Sequence, residues 1–214
     1  MNTIAIVDYG MGNLRSVAQA VEHVKPNDAQ VIVTSDAHEI ENADRVVFPG
    51  QGAAQACMEH LEAIEGLEDA VFNAAKSKPF LGICMGMQVL MEHSKENNGT
   101  DCLGLFEGDV NPFKAIENWS HELKVPQMGW NHIHERRDHA LWHNIENPSR
   151  FYFVHSYYVE PKNPDIAVGM TEYGITYCSA IAHKNLFAIQ AHPEKSADAG
   201  LQLLKNFCQW NGDE

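Results

Sequence analysis

Three short stretches of this 214-residue chain hold residue types that can carry out acyl transfer. In GICMG, Cys84 stands between Gly82 and Gly86. Glycines two places before and after a residue remove side chains that would clash in a sharp strand-to-helix turn, the logic of a nucleophile elbow. Such a turn offers the thiol above the end of a sheet, at a helix start whose unpaired N–H groups favour the thiolate. A free thiol is only a few per cent ionised at neutral pH, so that help matters. A small buried cysteine in an ordinary βα turn gives the same letters, and this stretch alone does not separate the two. In QAHPEKS, His192 follows an apolar run and Glu194 lies two residues on. Residues i and i+2 of an extended chain point to one side, so the carboxylate can hold the imidazole tautomer and steady its charged form. With 12 histidines in the chain, a lone partly buried histidine is the plainer alternative. In PGQGA, Gly50, Gln51 and Gly52 form a turn whose backbone N–H groups can hold a developing oxyanion. A plain βα turn would look alike.

Nucleophile, base and orienter come from distant parts of the chain, so the fold must bring them together. TIAIVDYG, AQVIVTS, DRVVFPG and KPFLGIC are short apolar runs that read as strands. Helical spacing of apolar residues falls between them, over residues 13–24, 53–64 and 67–75, and again over 85–93, where Met87, Leu90 and Met91 share a face. Alternating strands and helices imply parallel strands joined by crossovers. From residue 104 to 190 the pattern changes to strand-like runs punctuated by Gly, Pro and Asn: LKVPQMGW, RFYFVHSYYV, IAVGMTEYG, ITYCSAIAHKN and LFAIQAHPE. A helix is expected over 197–210. The expected fold is α/β, an open doubly wound and mostly parallel sheet with helices on both faces, extended by antiparallel strands in the second half. Without a linker or repeat, residues 1–214 are expected to form a single domain.

Composition narrows the function. The formal charge is −14, with 15 basic and 29 acidic residues. No basic stripe is present to follow a phosphate backbone, which argues against nucleic acid. No run reaches the roughly 18 apolar residues of a membrane span, and a soluble, cytoplasmic protein is expected. The five cysteines are odd in number and form no CxxC pair, so neither a disulfide framework nor structural zinc is expected. His132 and His134, with Asp138, His139 and His143 nearby, have metal-like spacing but read more simply as solvated histidines. DYGMGNLRS has Arg15 where a dinucleotide-binding turn needs its third glycine. No cofactor and no metal is called for.

The order of glycine turn, cysteine elbow and His-Pro-Glu resembles the class I glutamine amidotransferases, over the whole chain. The family elbow, GxCxGxQ, is matched by Gly82, Cys84, Gly86 and Gln88. DYGMGN, VPQMGWN and FVHSYY resemble in particular the branch whose members are glutaminase subunits of histidine biosynthesis. That resemblance implies glutamine hydrolysis through a γ-glutamyl thioester, with Cys84 as nucleophile, His192 as base and Glu194 as orienter. It places oxyanion donors at Gly50, Gln51, Gly52 and Met85, and glutamine contacts at Gln88 and the backbone of Ser156 and Tyr157. Gln51 stands where valine is commoner in the family, a change that a backbone donor tolerates. The implied partner is a cyclase subunit, a (β/α)₈ barrel that forms a heterodimer with the glutaminase. It uses the ammonia to make imidazole glycerol phosphate and an aminoimidazole carboxamide ribonucleotide. Asn13 and Trp130 carry over to the docking face.

Three other readings stand beside this one. A free-standing thiol hydrolase acting on γ-glutamyl substrates would work without a partner and would not need DYGxGN or MGWN. A binding protein on the same fold should have lost the cysteine, the histidine or the acid, and none is lost here. A paralogue serving a different synthase would keep every motif.

Overall fold

The computed structural model describes residues 2–117, 119–120 and 122–213. Its first half alternates as the apolar runs require: β1 (Asn2–Val7), α1 (Leu14–Val24), β2 (Ala29–Thr34), α2 (Ala37–Asn42), β3 (Arg45–Gly50), α3 (Ala54–Glu62), α4 (Leu67–Ser77) and β4 (Phe80–Cys84). The Asp36 side chain caps α2 by accepting from the backbone N–H groups of His38 and Glu39. β2, β1, β3 and β4 lie side by side and all parallel.

Strand periodicity builds a core on each face of the sheet. Along β1, Ala5 and Val7 join one buried cluster with Ile40 of α2, Leu61 of α3 and Val71 of α4. Ile4 and Ile6, on the opposite face, join another with Val17 and Val21 of α1. That second cluster also holds Leu203, Leu204 and Phe207 of the C-terminal helix α6 (Ala197–Gln209), expected over 197–210. Helices therefore cover both faces, as a doubly wound sheet demands.

After β4 the chain departs from the expected helix over residues 85–93. One helical turn, α5 (Met85–Gln88), is followed by a strand, β5 (Met91–Ser94). Met85, Met87, Val89, Leu90 and Met91 are all buried, so the segment has no polar face to turn to water. An amphipathic surface helix needs such a face. The run instead re-enters the sheet.

The second half adds β6 (Thr100–Asp101), β7 (Phe106–Pro112), β8 (Gln127–Glu135), β9 (Ser149–His155), β10 (Tyr157–Pro161), β11 (Ala167–Tyr173), β12 (Ile175–His183) and β13 (Leu186–Ile189). RFYFVHSYYV, one apolar run in sequence, is two strands broken at Ser156. Most pairings here are antiparallel, while β5 runs parallel to β7. The last strand, β13, sits in the middle of the sheet, parallel to β4 and antiparallel to β12. That placement brings the ends of β4 and β13, and so Cys84 and His192, to one edge.

Candidate active site

The elbow at Cys84 is fixed by contacts that leave no room for side chains. Cys84 itself has φ 55° and ψ −108°, a backbone state that costs a non-glycine residue on the order of 1–3 kcal/mol and persists where the surroundings enforce it. A Cβ on Gly86 would lie 1.9 Å from the Phe48 carbonyl oxygen, and one on Gly82 would lie 2.9 Å from both the Ala188 Cβ and the Gly86 oxygen. The glycines flanking Cys84 are thus demanded by the tight packing of β3, β4 and β13 around the turn. Because α5 is a single turn, it brings little of a long helix's dipole to the sulfur. The nearer source of positive charge is an imidazole.

That imidazole belongs to His192. Its backbone is clamped: the His192 N–H donates to Tyr152 O, and His192 O accepts from the Ser196 hydroxyl at 2.6 Å and the Lys195 N–H at 3.0 Å. Pro193 opens a tight turn, Pro193–Lys195, and the start of α6 packs on it so closely that a Cβ on Gly200 would reach the Pro193 oxygen at 1.9 Å. Nδ1 of His192 lies 2.9 Å from Glu194 Oε1, and the two side chains are only 5% and 1% exposed. Burial alone would lower the pKa of the ring. Cys84 and Glu194, by hydrogen-bonding and charge, outweigh burial and push it up to about 10. Nε2 has no partner in strict hydrogen-bond geometry among the described residues. The arrangement is an imidazolium between a carboxylate and a sulfur.

Both groups open on a cavity of about 550 Å³. The structure brings Gln51, Gly52, Cys84, Met85, Gln88, Ser156, Tyr157 and His192 together along its wall. Gly50 lies just beneath, paired with Cys84 across β3 and β4. Glu194 stands behind His192. Asn13 and Trp130 lie outside the cavity, each in a segment that touches it, through Gly12 and through Pro126. The Asn13 side chain makes no cap bond to α1, although it occupies the N-cap position. Trp130 is 45% exposed and Met128, two residues before it on β8, is 65% exposed. The Arg150 guanidinium lies 5.5 Å from the Trp130 ring centroid.

Four neighbours of the site were not singled out by sequence. Glu96 lines the cavity, and its Oε2 accepts from the Ala54 N–H at 2.8 Å, tying the end of the PGQGA turn to the loop after β5. Tyr9, fully buried, donates from its hydroxyl to Pro49 O at 2.9 Å, bracing the same turn from behind. His155 is buried, which pushes its pKa down to about 4 and keeps it neutral; its Nδ1 meets Tyr157 O at 2.7 Å. Gln190, fully buried, sits between Gln88 and Cys84. Three of them carried a signal: Gln190 shares the i, i+2 alternation of His192 and Glu194, while Tyr9 and His155 lie inside the DYGMGN and FVHSYY stretches. Among the described residues no group of three or more His, Cys, Asp or Glu is arranged to hold a metal ion.

The chain is similar to known proteins over nearly its whole length. The model of the family described as glutamine amidotransferase class-I matches residues 5–210. An imidazole glycerol phosphate synthase subunit HisH from Hydrogenovibrio crunogenus is 57% identical over 209 residues, 98% of this chain and 97% of its own. The protein of the same name from Thiobacillus denitrificans is 55% identical over 99% of this chain and 92% of its own. Among solved structures, that of PurLQS from Thermotoga maritima matches with a TM-score of 0.71 at 16% identity, over 97% of this chain and 98% of that one, a likeness of fold. With its elbow cysteine, its His-x-Glu pair and a match spanning nearly every residue, the chain belongs to the class I glutamine amidotransferase family.

Proposed function

We propose that this chain is the glutaminase subunit of an imidazole glycerol phosphate synthase, its whole length acting as one amidotransferase domain in the cytoplasm. The observation that carries the reading is the buried Cys84–His192–Glu194 constellation at the wall of a cavity, in a chain more than half identical to proteins of that name. Cys84 attacks the side-chain carboxamide carbon of glutamine. Backbone N–H groups of the Gly50–Gln51–Gly52 turn and of Met85 take the oxyanion. His192, held charged by its two neighbours, gives its proton to the departing ammonia and leaves a γ-glutamyl thioester. The now neutral ring takes a proton from water, which attacks the thioester and releases glutamate. Glu194 keeps the proton on Nδ1, so that Nε2 faces the reaction throughout.

The cavity also suits the rest of the substrate. Glu96 is the one carboxylate on its wall among the described residues, and it is placed for the α-ammonium group. The Gln88 Oε1 is buried and has no donor, so it too awaits an N–H of the substrate. Backbone groups of Ser156 and Tyr157 complete the binding positions. The partner is a cyclase subunit, a (β/α)₈ barrel that docks as a heterodimer over the face carrying Asn13 and Trp130 and consumes the ammonia to form imidazole glycerol phosphate and aminoimidazole carboxamide ribonucleotide. Exposed Trp130, flanked by Met128 and Arg150, has the size and polarity of an interface anchor.

The test is ammonia release from glutamine by the full chain, with and without a cyclase subunit and its nucleotide ligand. Slow turnover alone, strong stimulation by the loaded cyclase and none in Cys84→Ala are expected. Brisk turnover indifferent to the cyclase would replace this reading with a free-standing hydrolase.

A further inference from the structure

The geometry points to Gln190 as a positioning residue of the glutaminase reaction: its side-chain amide holds the Cys84 sulfur from one end and orients Gln88 from the other, so that the nucleophile and a substrate-binding group share one fixed part. This inference rests on the functional reading above. Gln190 is fully buried two residues before His192. Its Nε2 lies 3.7 Å from Cys84 Sγ, and its Oε1 accepts from Gln88 Nε2 at 2.9 Å. Gln88 Nε2 also donates to Tyr157 O at 3.2 Å.

The direction of this chain of hydrogen bonds follows from its anchor. A backbone carbonyl can only accept, so the Gln88 group facing Tyr157 O must be the NH₂. The same NH₂ meets Gln190, which must therefore present its oxygen. The remaining end of Gln190, its NH₂, is then left to face the sulfur as a donor. Reversing the Gln190 amide would set donor against donor at Gln88 and an oxygen against a thiolate at Cys84. His155 adds a second bond to Tyr157 O, at 2.7 Å, from the far side. The same polarity turns Gln88 Oε1 away from Gln190 and leaves it without a donor, ready for substrate. Gln190 thus favours the charged sulfur before attack and keeps Gln88 from flipping when glutamine arrives.

Two variants separate its two ends. Gln190→Met keeps the length of the side chain and removes both contacts. Gln190→Glu keeps the acceptor for Gln88 and removes the donor to sulfur. The first readout is the rate at which iodoacetamide alkylates Cys84 in the full chain at pH 6. Burial pushes the Cys57, Cys178 and Cys208 thiols up to about 12 and Cys102 up to about 11, which keeps those four slow. Gln190→Met is expected to slow Cys84 alkylation about tenfold or more, the weight of one hydrogen bond to a charged group. The second readout is turnover in the complex with the loaded cyclase. Gln190→Met should both lower kcat and raise KM for glutamine, whereas Gln190→Glu should lower kcat with KM near that of the unsubstituted chain.

Alkylation at the unsubstituted rate in Gln190→Met, or equal effects of Met and Glu on both constants, would overturn the proposal and leave Gln190 a space-filler. If Gln190→Met does not fold by circular dichroism and thermal melting, Gln190→Glu decides through its split between kcat and KM. Should the unsubstituted complex release no ammonia, the functional reading fails, and the alkylation rates still judge the contact with Cys84.

Discussion

Replacing Glu194 by glutamine changes one atom and isolates what the carboxylate does for His192. The contact is 2.9 Å long and both side chains are almost fully buried, so solvent screens it little. A hydrogen bond to a charged group is worth about 1.5–3 kcal/mol, which at 1.36 kcal/mol per unit is about one to two pKa units. His192 in Glu194→Gln should therefore titrate about one to two units below its value of about 10. The amide can also turn its NH₂ toward Nδ1, which would leave the proton on Nε2 and take away the ring's ability to act as a base. An acid-to-amide change of that kind costs roughly 10⁴ in kcat in serine-protease triads, and a loss of about 10³ or more is expected here. The assay pairs nuclear magnetic resonance titration of ¹³C-labelled histidine rings with ammonia release in the cyclase complex. Stability gives an independent sign. The folded pKa lies above the ordinary 6.5, so the interaction stabilises the fold fully below pH 6.5 and is lost as pH rises through about 10. The melting temperature of Glu194→Gln should fall furthest short at acidic pH, with the gap closing toward pH 10. A His192 pKa that does not move, or a gap that widens with pH, would refute the electrostatic account of the pair.

Gly50→Ala would put a Cβ 2.4 Å from the Tyr9 hydroxyl and 2.9 Å from the Met85 Cβ. Overpacking of this kind costs about 1–3 kcal/mol, and displacement of one oxyanion donor about 10²–10³ in kcat; adding Tyr9→Phe should restore part of the melting temperature by removing the closest atom. Glu96→Gln removes the negative charge from the cavity wall and should raise KM for glutamine about tenfold or more, with a smaller effect on kcat, as steady-state kinetics will show. Trp130→Ala should weaken binding to the cyclase by about 2 kcal/mol, near thirtyfold in Kd, and leave the melting curve of the chain itself unchanged because the ring is half exposed.

The parallel half of the fold was legible because its strands are short apolar runs of fixed period, and β1, β3 and β4 lie where those runs fall. The exception is residues 85–93. Methionine and leucine suit a helix by propensity, but burial on every side decided the outcome, and burial is a property of the finished fold. The candidate site was legible where it is local. Cys84 with its glycines and His192 with Glu194 form recognisable spacings that singly have plainer explanations, and only their order along the chain made them candidates. Glu96 reaches the site from the loop after β5, and no local pattern marks it; Tyr9 and His155 lie in quoted stretches, but their contacts with Pro49 and Tyr157 arise only in the folded sheet.

The central position of β13 has a consequence for how the protein comes into being. Gln190 and Cys84 touch across 106 residues of chain, and the strand that leads to Gln190 and His192 inserts between β4 and β12. During synthesis, which adds about 5–20 residues per second, the elbow is made early and waits for seconds without His192, the proposed base. A chain cut anywhere before β13 lacks both the imidazole and the strand that joins the two halves of the sheet. On the proposed reading, chains that stop before β13 are expected to release no ammonia from glutamine.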